Sequence, residues 1–518
     1  MKKTASFILA FSLLVNSTNA QVSAHEIDSL TELVMTTFDV PGISVGVVKD
    51  GKLIHAKGYG VSSINSKKKM DENTLVGIAS NSKAFTTAAL AMLVDEGKLK
   101  WEDKVRDYIP EFKLYNPYVT DEFNIKDLLT HRSGLGLGAG DLMLWPNGTS
   151  FSRNDIIHNL RYLKPVSAFR TKYDYDNLLY IVAGEVVKKA SGLEWEDFIE
   201  KKILQPLQMN KSAANLNRLK DTMNIADPHA PVDGKLQVVS KDFTNVAAAA
   251  GGIWSNITDM SKWVIMQING GKYGDSLKKT LFSKSAQNEM WTIQTVIPVN
   301  TTPPYNTHFA GYGLGWFLGD VKGYKQASHT GGLGGMVTQV TILPELKLGI
   351  IVLTNQQSDA AFSSITATIK DSYLGIKGMD RVKQIATNTK TVHAQVKKIT
   401  EDIWKDIAAQ QKNNTSKIND SIFIGKYIDE WFGEINIAAK NGGLWFTAAK
   451  SPGLVGELLP YKANTFVIKW NDRSLDADAF AMFVLDNTGK ASGITMKAIS
   501  PLTDFSFDFQ DLNFKRLE

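Results

Sequence analysis

Apolar positions change their period along the chain, and each change predicts a different kind of element. Residues 42 to 60, GISVGVVKDGKLIHAKGYG, hold two apolar runs joined at Lys49-Asp50-Gly51. An Asp-Gly pair between such runs predicts a β-hairpin, since its tight turn needs positive φ at its central residues. Residues 83 to 98, KAFTTAALAMLVDEGK, carry helix formers with apolar residues at helical spacing and a stop at Gly97, which predicts a helix. From about 101 to 250 short helical patterns mix with Gly- and Pro-rich loops, and the clearest helix runs from Leu178 to Lys189, just after Tyr175-Asp176-Asn177. Strand patterns return at Met336 to Leu343 and Leu348 to Leu353, on either side of Pro344-Glu345. Strands at both ends with helices between them predict a sheet assembled from distant parts of the chain, an α+β arrangement.

Beyond about residue 380 the pattern changes again. Val392, Val396, Ile399, Ile403 and Ile407 recur every three to four residues among charges, which predicts one amphipathic helix ending near 411 in a polar linker, Gln411 to Asn419. After it the period falls to two: Glu434 to Ile437, an Asn441-Gly442 turn, Leu444 to Phe446, Thr465 to Trp470, Phe480 to Leu485, and the alternating Phe505, Phe507 and Phe509. Short alternating strands between turns predict a separate all-β barrel or sandwich of about 100 residues. Trp445 and Trp470 are expected in its core.

Composition narrows the chemistry. The chain has 518 residues, 43% hydrophobic and 21% charged, with no cysteine. That length suggests about two to four domains, and the missing thiols exclude disulfides, thiolate metal sites and a cysteine nucleophile. A covalent hydrolase built from this sequence must use Ser or Thr. The net charge of +5 is spread thinly over the chain, which is no nucleic-acid footprint. The opening MKKTASFILAFSLLVNSTNA combines a basic start, an apolar stretch from Ser6 to Val15 and small residues at Thr18 and Ala20. It reads as a cleaved export signal, 1–20, cut after Ala20, and is too short for a membrane span of about 20 apolar residues. The mature chain is expected to be periplasmic or secreted, without stable membrane insertion. Its eight histidines are scattered with no metal-ligand spacing, so no metal and no other cofactor is expected.

Three Ser-x-x-Lys patterns occur. Ser66/Lys69 lies in the polar turn NSKKKMD and Ser276/Lys279 in the loop GDSLKKT, whereas Ser80/Lys83 follows the apolar run Leu75 to Ala79 and opens a helix that looks buried. One turn of helix places residues i and i+3 side by side, and a Lys amine can take a Ser proton if burial depresses its pKa. Tyr175 offers a second proton carrier and Asn177 an amide that can bind both the Lys and a substrate carbonyl. His329-Thr330-Gly331-Gly332 precedes an apolar strand, and its small residues allow a substrate backbone to approach. His131 and Arg132 are read as fixing a loop near the helix.

Taken together, Ser80-x-x-Lys83, Tyr175-x-Asn177 and His329-Thr330-Gly331 resemble the three signatures of serine β-lactamases and penicillin-recognising peptidases. The branch concerned holds class C β-lactamases, D-alanyl-D-alanine carboxypeptidases, D-aminopeptidases and related esterases, the peptidase S12 type. Val40-Pro41-Gly42, Leu128 to Leu135, Ala250 to Ser255 and Gly311 to Trp316 are similar to the same family. The β-rich tail resembles the lipocalin-like domain that follows some of these hydrolases. The residue pattern and the resemblance together divide the chain into a signal peptide at 1–20, a hydrolase domain at 21–378, a linker helix at 379–411 and an all-β lipocalin-like domain at 412–518. In the hydrolase domain the resemblance implies a five-stranded antiparallel sheet flanked by helices, with a mostly helical subdomain. It further implies that Ser80 attacks, Lys83 activates it, Tyr175 shuttles the proton, and Asn177, His329, Thr330 and Gly331 position substrate. The backbone N–H groups of Ser80 and Gly332 would form the oxyanion hole, with the base at each step left open between Lys83 and Tyr175.

The expected activity is acyl-enzyme hydrolysis of amides or esters in a small-molecule or peptide substrate, with D-amino-acid peptides (carboxypeptidase or aminopeptidase type) as the first choice. A carboxylesterase or weak β-lactamase is the alternative within the class, and a penicillin-binding sensor without turnover the alternative outside it. Many β-lactamases of the group carry Lys where this chain has His329. That departure predicts carboxylate binding that weakens as pH rises through the His329 pKa.

Overall fold

The computed structural model describes residues 21–241, 245–299, 301–412 and 420–517. The leader assigned to 1–20 and most of the polar linker, 413–419, lie outside the described residues. The N-terminal unit is built on one antiparallel sheet. Its strands are β1 (Gly42–Lys49), β2 (Lys52–Gly60), β3 (Thr295–Val296), β4 (Ala310–Tyr312), β5 (Phe317–Val321), β6 (Tyr324–Leu333), β7 (Met336–Leu343) and β8 (Leu348–Thr354). They lie in the order β2-β1-β8-β7-β6-β5-β4-β3. The expected five strands are thus the long ones, and three short strands from 295 to 321 extend the sheet to eight.

The apolar runs in β1 and β8 are continuous because both faces are covered. On one face Val45, Val47, Ile350 and Val352 meet Ile27 and Val34 of α1 (Ala24–Phe38) and, from a helix near the end of the unit, Phe362 and Ile365. On the other, Ile351 and Leu353 join the core that contains Phe85 of α2 (Lys83–Asp95). That core also takes in α3 (Leu178–Ser191) and α4 (Ile257–Ile268), and the C-terminal helix of the first face is α5 (Asp359–Tyr373). Helix α2 is apolar around its whole circumference, and every residue from Lys83 to Leu93 is buried, so it is a central helix without a wet face.

Helix α6 (Arg381–Lys412) leads out of this unit. Its two ends enter different cores: Val382 joins the one around α1 and α5, and Ile403 and Ile407 pack on Leu459, Val467 and Ile499. Val392 and Ile399 are exposed. Eight strands then close an antiparallel barrel: β9 (Gly425–Asp429), β10 (Gly433–Lys440), β11 (Gly443–Ala448), β12 (Val455–Lys462), β13 (Thr465–Trp470), β14 (Ala479–Leu485), β15 (Ala491–Ala498) and β16 (Asn513–Arg516). Closure by β16 against β9 leaves no free edge. Trp470 lies in the barrel core, whereas Trp445 is only partly buried under the Lys440 ammonium.

The alternation of Phe505, Phe507 and Phe509 does not form a strand. Residues 499–508 are irregular backbone, and the last strand starts at Asn513. Asp504 holds a turn in it by accepting the Ser506 N–H at 2.9 Å, and Asp508 accepts N–H groups of the N-terminal unit.

Candidate active site

Ser80 sits in a 3₁₀ turn, Ala79–Ser82, that runs directly into α2. Ala79 is held at φ 48°, left-handed for a residue with a Cβ, and such local strain persists only where the surroundings fix it. They do so here. Asn81 Nδ2 donates to Ile78 O at 3.3 Å and to Thr338 Oγ1 at 2.9 Å, and the Thr338 hydroxyl donates to Ile78 O at 3.0 Å. Ser82 Oγ accepts the Ile253 N–H at 3.1 Å, while Ile78 N–H donates to Ile253 O at 2.9 Å. The neighbours of Ser80 are therefore committed to structure, and Ser80 keeps partial exposure. Ser66/Lys69 and Ser276/Lys279 both lie on exposed surface.

Lys83 is fully buried. Its Nζ lies 2.9 Å from Ser80 Oγ, 2.7 Å from Asn177 Oδ1 and 2.9 Å from Ala250 O. Burial brings its pKa down from 10.5 to about 7, against the opposing pull of Asp141 and Asp176. The three oxygens can take the three N–H bonds of the ammonium, and the same set also serves the neutral amine. Two of the partners can only accept, so they take its two N–H bonds, and the remaining lone pair faces the one partner that can donate, the Ser80 hydroxyl. In the neutral form the arrangement could act as a general base on a hydroxyl nucleophile.

Tyr175 and Asn177 reach the same point from the start of α3. The Tyr175 ring lies 4.7 Å from Lys83 Nζ. Burial drives the phenol well above its ordinary pKa of 10.0, a rise that nearby Ser80 partly offsets, so it stays protonated and can carry a proton but is a poor base at neutral pH. Asn177 donates through Nδ2 to Asp141 Oδ2 at 2.8 Å. Burial raises the Asp141 carboxyl well above the usual range, and it raises Asp176 to about 7.

His131 fixes the segment as expected. The Asp176 N–H donates to its Nδ1 at 3.0 Å, and its ring lies 4.2 Å from that of Tyr175 and 4.6 Å from that of Tyr312. Arg132 pairs with the buried Asp127 at 3.1 Å, and Arg170 joins the same carboxylate at 2.6 Å.

The third wall is β6. Its pairing with β5 stops at Ser328, so His329 to Leu333 leave that side of the strand unpaired while the other side stays bonded to β7. Gly331 is required for contact with the Ser80 turn, since a Cβ there would lie 2.2 Å from Ile78 O. Gly332 and Thr330 are exposed beside it.

His329 departs from the expected titration near neutrality. It is 2% exposed, with Nδ1 at 2.6 Å from Thr330 O and Nε2 at 2.9 Å from the Tyr312 hydroxyl. A carbonyl can only accept, which puts the ring proton on Nδ1 and makes Nε2 an acceptor from Tyr312. Burial, helped by Lys83, lowers its pKa from 6.5 to about 3. The imidazole is neutral at physiological pH, so carboxylate binding cannot follow its titration near neutrality.

Three neighbours of the site escaped the sequence reading. Asp141 carries no local signal beyond a Gly-rich stretch. Phe505 and Ser506 were hidden inside an apparent strand. The Phe505 ring stands edge-on to Tyr175 at 5.7 Å, and the Ser506 hydroxyl donates to Asp141 Oδ2 at 3.0 Å.

Residues 27–373 match the family described as Beta-lactamase, and residues 410–516 match a domain of unknown function, DUF3471. An unguisins hydrolase of Aspergillus violaceofuscus is 30% identical over 365 residues, covering 66% of this chain and 63% of that protein. Protein flp of Staphylococcus aureus is 28% identical over 349 residues, covering 65% and 64%. The matches thus span under two-thirds of these relatives' own lengths. The octameric penicillin-binding protein homologue from Pyrococcus abyssi has the same fold, with a TM-score of 0.62 at 21% identity over 95% of this chain and 100% of that one. With its sheet, its helical layers and most of its length matched, the chain belongs to the Beta-lactamase family, the serine β-lactamase and penicillin-binding-protein-like hydrolases.

Proposed function

We propose that the protein is an exported serine hydrolase that cleaves amide or ester bonds through an acyl-enzyme on Ser80, with D-amino-acid amides and peptides as its first substrate class. The observation that carries this reading is the partner set of Lys83, two acceptors and one hydroxyl around an amine held near pKa 7. Lys83 takes the Ser80 proton as Oγ bonds to the substrate carbonyl carbon. The negative charge then on the carbonyl oxygen is met by the N–H groups of Ser80 and Gly332, donors that need no reorganisation when the charge appears. Tyr175 passes the proton to the leaving amine or alcohol, and the acyl bond to Oγ is later broken by water activated at the same pair. Asn177 holds Lys83 and the substrate carbonyl in register.

The neutral His329 favours substrates without a free carboxylate beside the scissile bond. That supports the aminopeptidase and esterase arms over the carboxypeptidase and β-lactamase arms. The leader expected at residues 1–20 supports work outside the cytoplasm.

Wild type and Ser80→Ala should be run on D- and L-amino-acid anilides, short acyl esters and nitrocefin, with a fluorophosphonate label mapped by mass spectrometry. The expected result is label on Ser80, turnover of D-anilides and esters, and poor turnover of nitrocefin. Turnover that survives in Ser80→Ala overturns the reading, and a stable Ser80 adduct with no turnover of any substrate replaces it by the sensor.

A further inference from the structure

The irregular segment between β15 and β16 leaves the barrel and enters the hydrolase unit beside the candidate site. Asp508 is wholly buried and accepts two backbone N–H groups there, Gly140 at 2.6 Å through Oδ2 and Leu142 at 3.0 Å through Oδ1. These flank Asp141, so one carboxylate from the barrel grips the chain on both sides of it. Gly138 lies under the Phe505 backbone, where a Cβ would be 2.5 Å from Phe505 O, and its N–H donates to Tyr175 O at 2.8 Å. Ser506 Oγ then donates to Asp141 Oδ2, the same oxygen that receives Asn177 Nδ2. Asp141 Oδ1 is buried with no partner, so the carboxyl meets its neighbours through Oδ2 alone.

That oxygen decides which way the Asn177 amide faces. With Nδ2 on Asp141, Oδ1 must face Lys83. A flipped amide would point its N–H bonds at the Lys83 amine and leave the Asp141 oxygen against a carbonyl. A buried polar group that loses its partner forfeits its full desolvation cost, so the orientation is held only while Asp141 stays in place.

We propose that the C-terminal barrel completes the active site: Ser506 is a positioning residue that acts through Asp141 and Asn177 to hold Lys83 on Ser80, with Asp508 anchoring the loop that carries Asp141. Barrel and hydrolase therefore form one catalytic unit. This rests on the hydrolase reading above for its kinetic consequence, but the chain of contacts can be tested without it.

The experiment compares full-length wild type, Ser506→Ala and Ser506→Thr. In Ser506→Ala the rate of Ser80 labelling by a small fluorophosphonate and the kcat for a short acyl ester should both fall about tenfold, as for loss of one hydrogen bond to a buried carboxyl. KM should stay within about twofold, since the substrate does not touch Ser506, and thermal midpoints should report an intact fold. Ser506→Thr restores the hydroxyl and should recover both rates. In crystals of Ser506→Ala the Asn177 amide should turn or withdraw from Lys83. Labelling at the wild-type rate in Ser506→Ala, a Ser506→Thr variant as slow as Ser506→Ala, or an unmoved Asn177 overturns the proposal. If wild type itself carries no label on Ser80 while Asn177 moves in the variant crystals, the hydrolase reading falls and the positioning contact stands.

Discussion

Replacing Lys83 with methionine keeps most of the buried volume and removes the nitrogen. Its effect on stability can be worked out with an internal control. A fall from 10.5 to about 7 corresponds to about 5 kcal/mol at ~1.36 kcal/mol per pH unit. The sign follows from proton counts. Between pH 7 and 10 the unfolded chain holds the Lys83 proton and the folded chain does not, so the folded state gains stability as pH rises through that window. Below pH 7 both states are protonated and the full cost of burying the charge persists. Lys83→Met has no such proton. It also strands the two acceptors, Asn177 Oδ1 and Ala250 O, at about 1–3 kcal/mol each, but that loss does not change with pH. The difference in unfolding free energy between wild type and variant should therefore climb by about 3–4 kcal/mol from pH 7 to pH 10, whatever its starting value. Urea unfolding of both proteins across that range measures it. Labelling of wild-type Ser80 should in parallel rise about tenfold per pH unit below 7 and level off above about 8, as the neutral amine becomes dominant. Parallel stability curves for the two proteins, or a labelling rate that keeps rising to pH 10 as for an ordinary lysine, would refute the reasoning.

For an ester bearing a carboxylate, the pH profile of KM between 5 and 8 should be the same in wild type and His329→Gln, because the His329 imidazole titrates near 3 and any step there belongs to Lys83, near 7; a step near 6.5 that disappears in His329→Gln would contradict this. Gly331→Ala forces a Cβ to within 2.2 Å of Ile78 O, and the displaced β6 should lower kcat/KM at least about a hundredfold, on the scale of a reacting group misplaced by about 1 Å, in a steady-state ester assay. Asp127→Ala leaves Arg132 and Arg170 without their shared carboxylate, and denaturant unfolding should report a loss of about 3 kcal/mol, typical of breaking a buried ion pair from one side.

The elements that fixed their own boundaries were those with a local cause. The hairpin at 42 to 60 follows from Asp50-Gly51, and α2 follows from apolar residues on every side of it, so both could be read from short windows. The Ser80, Lys83, Tyr175 and Asn177 constellation was legible for a different reason. Each motif was weak alone, and their joint order carried the information, which the hydrogen bonds around Lys83 express in space. What the sequence could not supply was the state of His329. Its neutrality comes from the Tyr312 hydroxyl, the Thr330 carbonyl and the exclusion of water, and those surroundings are assembled from separate strands. The Phe505 to Phe509 alternation misled because the three rings share a sequence spacing but not a face: Phe507 stacks on Phe509, and Phe505 has a separate partner. Phe509 points into the barrel, stacked 5.8 Å from Trp470, while Phe505 leaves it for Tyr175.

The same neighbourhood explains why a neutral Lys83 is stable inside the protein. Lys83, Asp141, Asp176 and His131 share one buried volume, and burial pushes each toward its uncharged form. Negative charge on Asp141 or Asp176 would hold the proton on Lys83; burial opposes that charge strongly at Asp141, whereas Asp176 ionises near pH 7, in the same range in which Lys83 loses its proton. A cluster of this kind depends on the exclusion of water from all of its members at once. The barrel's loop contributes by packing Phe505 against Tyr175 and by donating the Ser506 hydroxyl to Asp141 Oδ2. The C-terminal barrel is thus tied to the chemistry through the dielectric of the site as well as through the orientation of Asn177.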